Sequence, residues 1–221
     1  EALKGAFVVT ELPLPIIDSK LRLDTRFEIA SFQNWSFECD MLKLSRGNDV
    51  STVYGLYDVE MKGAGSQKGI EFNEIRVITN DLPLIGNLNI SFDKLTEHSK
   101  NYNINTVLTL QNETTNELLT AKNELIISDK IYVDGKINLL NIALMRFFQG
   151  QTIRNVATAE INVLGSLDDF FIRLDIMSLN YSQKGEDVLL SGSFSADDRT
   201  IRIDSCNAYW NSHTLTDIEG I

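Results

Sequence analysis

His98, His213, Cys39, Cys206 and a surplus of aspartates are the residues of this chain with chemistry to offer, and their spacing organises none of it. A hydrolytic triad needs a nucleophile, a base and an orienting acid in one place. Both histidines sit in or beside polar turns, with no glycine-flanked serine elbow nearby. Metal centres built from His and Cys need more ligands than these spacings supply. Asp168, Asp169, Asp197 and Asp198 do not follow the alternating acidic pattern of a calcium loop and read as turn formers. Lys62 to Gly69 (KGAGSQKG) resembles a phosphate-cradling loop only in its glycines. It lacks the Lys-Ser/Thr ending and a following helix, so it reads as a hairpin turn. Asn-x-Ser/Thr triplets begin at Asn34, Asn89, Asn112 and Asn180, about as many as chance gives here, and carry little weight as glycosylation sites. The expectation is a non-enzymatic protein with no catalytic residue, metal or cofactor.

Charge and composition narrow the partners. A net charge of -11 argues against nucleic acid, whose binders displace counterions with clustered Lys and Arg, and against adsorption to an anionic membrane surface. No apolar run approaches the ~18 residues of a membrane-spanning helix. The longest, Leu139 to Phe148, is interrupted by Asn141 and Arg146. Cys39 and Cys206 both fall in strand-like segments and read as buried free thiols, with a bridge between them left open. The chain begins at Glu1 without a basic and apolar leader, which reads as an excerpt of a longer protein.

The elements that must carry these residues announce themselves by a period of two. Trp35, Phe37, Cys39 and Met41 alternate with Ser36, Glu38 and Asp40, and Phe170, Ile172, Leu174 and Ile176 alternate with Phe171, Arg173 and Asp175. Such alternation marks strands with one dry and one wet face. The two segments, SFQNWSFECDMLKL from Ser31 and SLDDFFIRLDIMSL from Ser166, align without a gap. About a dozen strands follow from Lys20 onward, joined by short polar connectors such as RGND, QNETTN, QKGE and ADDR. Short connectors join neighbours, so the fold predicted is an all-β, elongated and curved antiparallel meander, residues 1–221 forming a single repeat-built region. Residues 139–150 break the period, with Leu140, Leu144 and Phe147 or Phe148 at helical spacing, and predict a short helix between repeat units that closes or plugs one end of the sheet.

What remains is one apolar face running through almost every strand, with Trp35, Phe37, Met41, Phe170, Ile172, Leu174 and Ile176 as its candidate ligand contacts. From the short helix onward, the run of Leu139 and Leu140, Gln149 to Ile153, Ala159 to Ser166 (AEINVLGS) and the strand Phe170 to Ile176 resembles the C-terminal repeat region of TamB-like translocation and assembly proteins. A looser form of that rhythm occurs in AsmA-like proteins. The resemblance implies a sheet folded over like a taco, its hydrophobic groove lined by those residues. It implies a periplasmic location, in a protein anchored to the inner membrane by a segment outside this chain. Phospholipid acyl chains are the implied partner, carried towards the outer membrane, and an outer-membrane barrel protein is a further partner through flanking regions. Period-two patterning alone leaves three architectures open. They are an open lipid conduit, a closed β-sandwich binding or adhesion module, and a membrane barrel, the last disfavoured by strands expected to be short and irregular and by scattered aromatics.

Overall fold

A computed structural model describes residues 2–14, 19–31, 34–46, 58–79, 82–94, 102–146, 151–166, 168–211, 213–215 and 220. Its strands are β1 (Leu3–Leu14), β2 (Ser19–Ser31), β3 (Asn34–Arg46), β4 (Asp58–Ser66), β5 (Gly69–Thr79), β6 (Leu82–Lys94) and β7 (Tyr102–Asn112), then β8 (Glu117–Ile127), β9 (Ile131–Ala143), β10 (Val156–Ser166), β11 (Asp169–Gln183), β12 (Glu186–Asp197), β13 (Ile201–Trp210) and β14 (His213–Leu215). They form one open sheet in sequence order, each strand antiparallel to the next. At ~4.8 Å per strand the stack is about 62 Å long. The predicted all-β meander is the fold observed; β1, which precedes the first strand expected from sequence, extends it by one course, and the strands other than β14 run to 9–15 residues instead of the short segments expected.

Local chemistry sets the turns. Lys184 and Gly185 both have positive φ (52° and 84°), the backbone of a two-residue hairpin that matches strand twist. At the β7–β8 turn the Asn112 side-chain oxygen accepts the N–H groups of Thr114 and Thr115 at 3.0 and 3.2 Å. Asp197 receives the N–H groups of Arg199 and Thr200 at 2.9 and 2.8 Å before β13. The KGAGSQKG segment is more regular than expected: Gly63 to Ser66 belong to β4, and only Gln67 and Lys68 form the turn. Its glycines serve packing, since a Cβ on Gly65 would strike the ring of Phe37 on the neighbouring strand. Of the expected connectors, RGND lies outside the described residues except for Arg46.

Over the described residues 139–146 the predicted helix is absent. Leu139 to Ala143 complete β9, and only Leu144–Arg146 form a single 3-10 turn, while residues 147–150 lie outside the described residues. Cross-strand pairing overrides the helical spacing, because Leu139 is opposite Ala159 and Ile142 opposite Ala157. Asn141, at φ 52°, is the extra residue between them and switches the parity of the strand.

Cross-strand register gathers the apolar residues on one side. Phe27–Phe37, Phe72–Leu88, Leu88–Leu108, Ile137–Ile161, Ile161–Leu174 and Leu174–Phe194 are directly opposed pairs on this side. Its deepest part is Ile75, Leu84 and Leu110, with Met61, Phe72, Val77, Leu88, Leu108 and Leu119 packed around them. The other side is mainly polar and laced with ion pairs, among them Arg26–Asp40, Lys43–Glu60, Lys62–Glu74 and Lys136–Glu160, with Ile85, Val107, Tyr132, Leu164 and Phe171 as exposed apolar residues on it. Bulges interrupt the register in every pairing from β1–β2 to β5–β6 and again from β9–β10 to β12–β13, whereas the pairings β6–β7, β7–β8 and β8–β9 run without a shift. Bulges bend strands and add twist, so these two groups are where the sheet gains curvature.

Candidate functional site

Two neighbouring phenylalanines show that the sheet curls towards its apolar side. Phe170 and Phe171 are the same residue type on opposite faces of β11, yet Phe170 is half-buried and Phe171 is 43% exposed. The same contrast runs along β3, where Trp35 and Phe37 are half-buried and Ser36, Glu38 and Asp40 exposed. The apolar face is therefore a trough, but not a sealed core. A compact protein of 24.9 kDa would expose about 10,200 Å², and this chain exposes 14540 Å². Leu3, Phe7 and Ile201, near the two ends of the face, are 64%, 56% and 75% exposed.

Six of the seven residues expected to line the groove do share this face. Trp35 and Phe37 stack with ring centroids 6.2 Å apart and planes 3° from parallel, opposite Ile29 and Phe27 of β2. On β11, Phe170, Ile172, Leu174 and Ile176 meet Gly165, Val163, Ile161 and Ala159 of β10. On their other side Ile172, Leu174 and Ile176 meet Ala196, Phe194 and Gly192 of β12. Glycine and alanine opposite a large side chain leave depth in the trough beside it.

Met41 is the exception. It pairs with Asp24, whose neighbours Leu23 and Thr25 pair with the trough residues Leu42 and Cys39. Two residues, Asp40 and Met41, thus occupy the step between Cys39 and Leu42, and the bulge turns Met41 to the polar side at 42% exposure. Strict alternation cannot anticipate this, because one extra residue moves everything beyond it to the other face. Cys39 and Cys206 both lie buried as free thiols, on β3 and β13.

One rim of the trough carries a structure that periodicity did not reveal. Glu117, at the start of β8, lies on the trough side with Leu119 and is 2% exposed. The Arg146 guanidinium reaches it with Nε to Oε1 at 2.7 Å and Nη2 to Oε2 at 2.6 Å. The Ala143 N–H and the Thr115 hydroxyl donate to the same carboxylate at 2.8 and 2.5 Å. Burial pushes the Glu117 carboxyl up, and the hydrogen bonds from Arg146, Thr115 and Ala143 outweigh it, so its pKa is held below the ordinary value. Buried Asn155 fastens the same connection at its far end, its side-chain oxygen accepting the Ser182 N–H of β11 at 2.8 Å and its backbone oxygen accepting the Leu144 N–H at 2.7 Å. The end of β9 with Leu144–Arg146 is thus clasped to the rim at β8, and Asn155 ties it to β11. Arg146 was the available signal: a lone charge in LLNIALMRFF needs a buried partner or an exit to water.

Among the described residues no helix is long and apolar enough to cross a membrane, and no group of three or more His, Cys, Asp or Glu could hold a metal ion. Comparison with protein-family models, with curated proteins and with solved structures finds no match.

Proposed function

We propose that the trough shields phospholipid acyl chains in transit, as a segment of a periplasm-spanning protein that moves lipid towards the outer membrane. The observation that carries this reading is an apolar face continuous across the strands yet left half-open along its length. Each acyl methylene removed from water contributes ~0.8 kcal/mol, so an ordinary chain is held with no specific polar contact. A face without fixed polar anchors lets that chain slide. The TamB-like rhythm of the second half points the same way, and an outer-membrane barrel protein would then be a partner through flanking regions.

A closed sandwich, serving as a binding or adhesion module, fits less well. Its inner face would be buried between two packed sheets, whereas Trp35, Phe37, Phe170, Ile172, Leu174 and Ile176 all keep solvent contact on a single sheet. The test is photocrosslinking from Phe37 and Leu174 in protein purified from cells, with mass spectrometry of the adducts. Phospholipid adducts at both positions are expected. Crosslinks only to the protein's own strands would sink the conduit.

A further inference from the structure

The bulge that removes Met41 from the trough builds a second site on the opposite face. Met41 forms part of a depression of about 260 Å³ with Arg22, Lys43, Glu60, Lys62, Glu74 and Arg76. Four cations meet two carboxylates there, in a chain whose net charge is -11. Register explains the excess. Arg22 of β2, Lys43 of β3, Glu60 of β4 and Arg76 of β5 are directly opposed in one row across four strands, and Lys62 and Glu74 pair in the next. Like charges opposed across a strand pair are unfavourable, so Arg22 beside Lys43 is a placement that folding alone does not reward.

The two lysines are partly engaged, Lys43 with Glu60 at 2.6 Å and Lys62 with Glu74 at 3.1 Å. The arginines are less so: Arg22 uses its Nε on the Thr10 carbonyl at 3.1 Å, which leaves its terminal nitrogens for another acceptor. The Lys43 hydrogen bond is the main cause holding Glu60 below its ordinary pKa, against burial, with Arg76 and Lys62 adding to it. Glu60 therefore stays charged at neutral pH, and with Asp24, opposite Met41 in register, counted beside the lining residues, the depression keeps one positive charge in excess.

We infer that this depression binds a phosphate group, free or as part of a larger molecule, between Arg22 and Arg76 with Met41 beside it. Guanidinium forks match phosphate oxygens two at a time, and the excess of cations over carboxylates favours an anion there. The site is on the polar face and does not depend on what fills the trough.

Calorimetric titration of the full chain with inorganic phosphate at low ionic strength tests it, alongside cosedimentation with phosphatidic acid and phosphatidylcholine vesicles. Saturable phosphate binding is expected to weaken at least tenfold in the double variant Arg22→Gln, Arg76→Gln and to persist in Arg173→Gln, a charge change on β11. Met41→Glu keeps all four cations, adds a carboxylate in the depression and should weaken binding similarly. Binding confined to phosphatidic acid vesicles and lost in the same variants would identify the phosphate as a lipid headgroup. Binding to neither probe, or binding unchanged in variants with native circular dichroism, would overturn the inference.

Discussion

β3 and β11 carry the same motif and put it to different use. In both, aromatic and aliphatic residues alternate with polar ones on a strand that crosses the trough. In β3 the bulge falls at Asp40 and Met41, while in β11 it falls after Ile176, between Ile176 and Leu179. Met41 and Ile176 occupy the same place in the gap-free alignment, yet Met41 faces the charged side and Ile176 the trough. Their surroundings diverge accordingly. The polar side beside Met41 holds four cations, with Asp24 directly opposite Met41 itself, whereas β11 presents Asp175, bonded to Arg173 and to the Ser193 hydroxyl, with Glu160 directly opposite. The β11 end is also clasped at its rim by Arg146 and Asn155. A repeat in sequence therefore preserves the course of the wall, and the position of one extra residue decides what each face offers.

The contrast can be broken most forcefully at the clasp. Arg146→Ala leaves the Glu117 carboxylate buried without its main partner and should cost about 3–5 kcal/mol in urea unfolding. Introducing a charge at Leu174 (Leu174→Asp) should abolish phospholipid crosslinking from that strand, read by mass spectrometry. A folded, expressed mutant with unchanged adducts would contradict the conduit. At the aligned pair, Ile176→Asp forces a charge against the apolar face and should cost about 2–3 kcal/mol, while Met41→Asp should stay within about 0.5 kcal/mol. Equal effects would mean that the two positions share a face after all.

Acid offers a gentler probe. Because the folded pKa of Glu117 is depressed, its stabilisation is complete at neutral pH, above the unfolded value of 4.5, and is lost as pH falls through the folded value. The unfolding midpoint should therefore drop on acidification below that range, and Glu117→Gln should flatten the dependence. A similarly small change is expected at Arg26→Ala. Its pair with Asp40 is more than half exposed at both ends, and exposed pairs contribute about 0–1 kcal/mol. A larger loss would mean that the bulge itself depends on that pair.

Much of the fold was legible because alternation is a local signal. Tyr102 to Asn112 is the strand that periodicity predicts, with both ends in place. Trp35, Phe37, Phe170, Ile172, Leu174 and Ile176 reach the trough for the same reason. β1 was missed because its apolar residues do not alternate cleanly: Phe7, Val8 and Val9 run together. The helix expected at 139–150 came from composition and from the spacing of Leu140, Leu144 and Phe147 or Phe148, but Leu and Ala, which favour helix in isolation, pair equally well across strands when neighbours are present. The Glu117–Arg146 clasp joins residues too far apart in sequence for any periodic pattern to connect.

The sequence by itself determined that this chain is an antiparallel wall with one dry side, because a period of two records which side chains leave water. Tertiary structure decided how far the wall curls, where it is clasped, and that Met41 stands among cations instead of facing the trough. Those outcomes turn on register, and register depends on bulges and long-range partners that no short stretch of residues encodes alone.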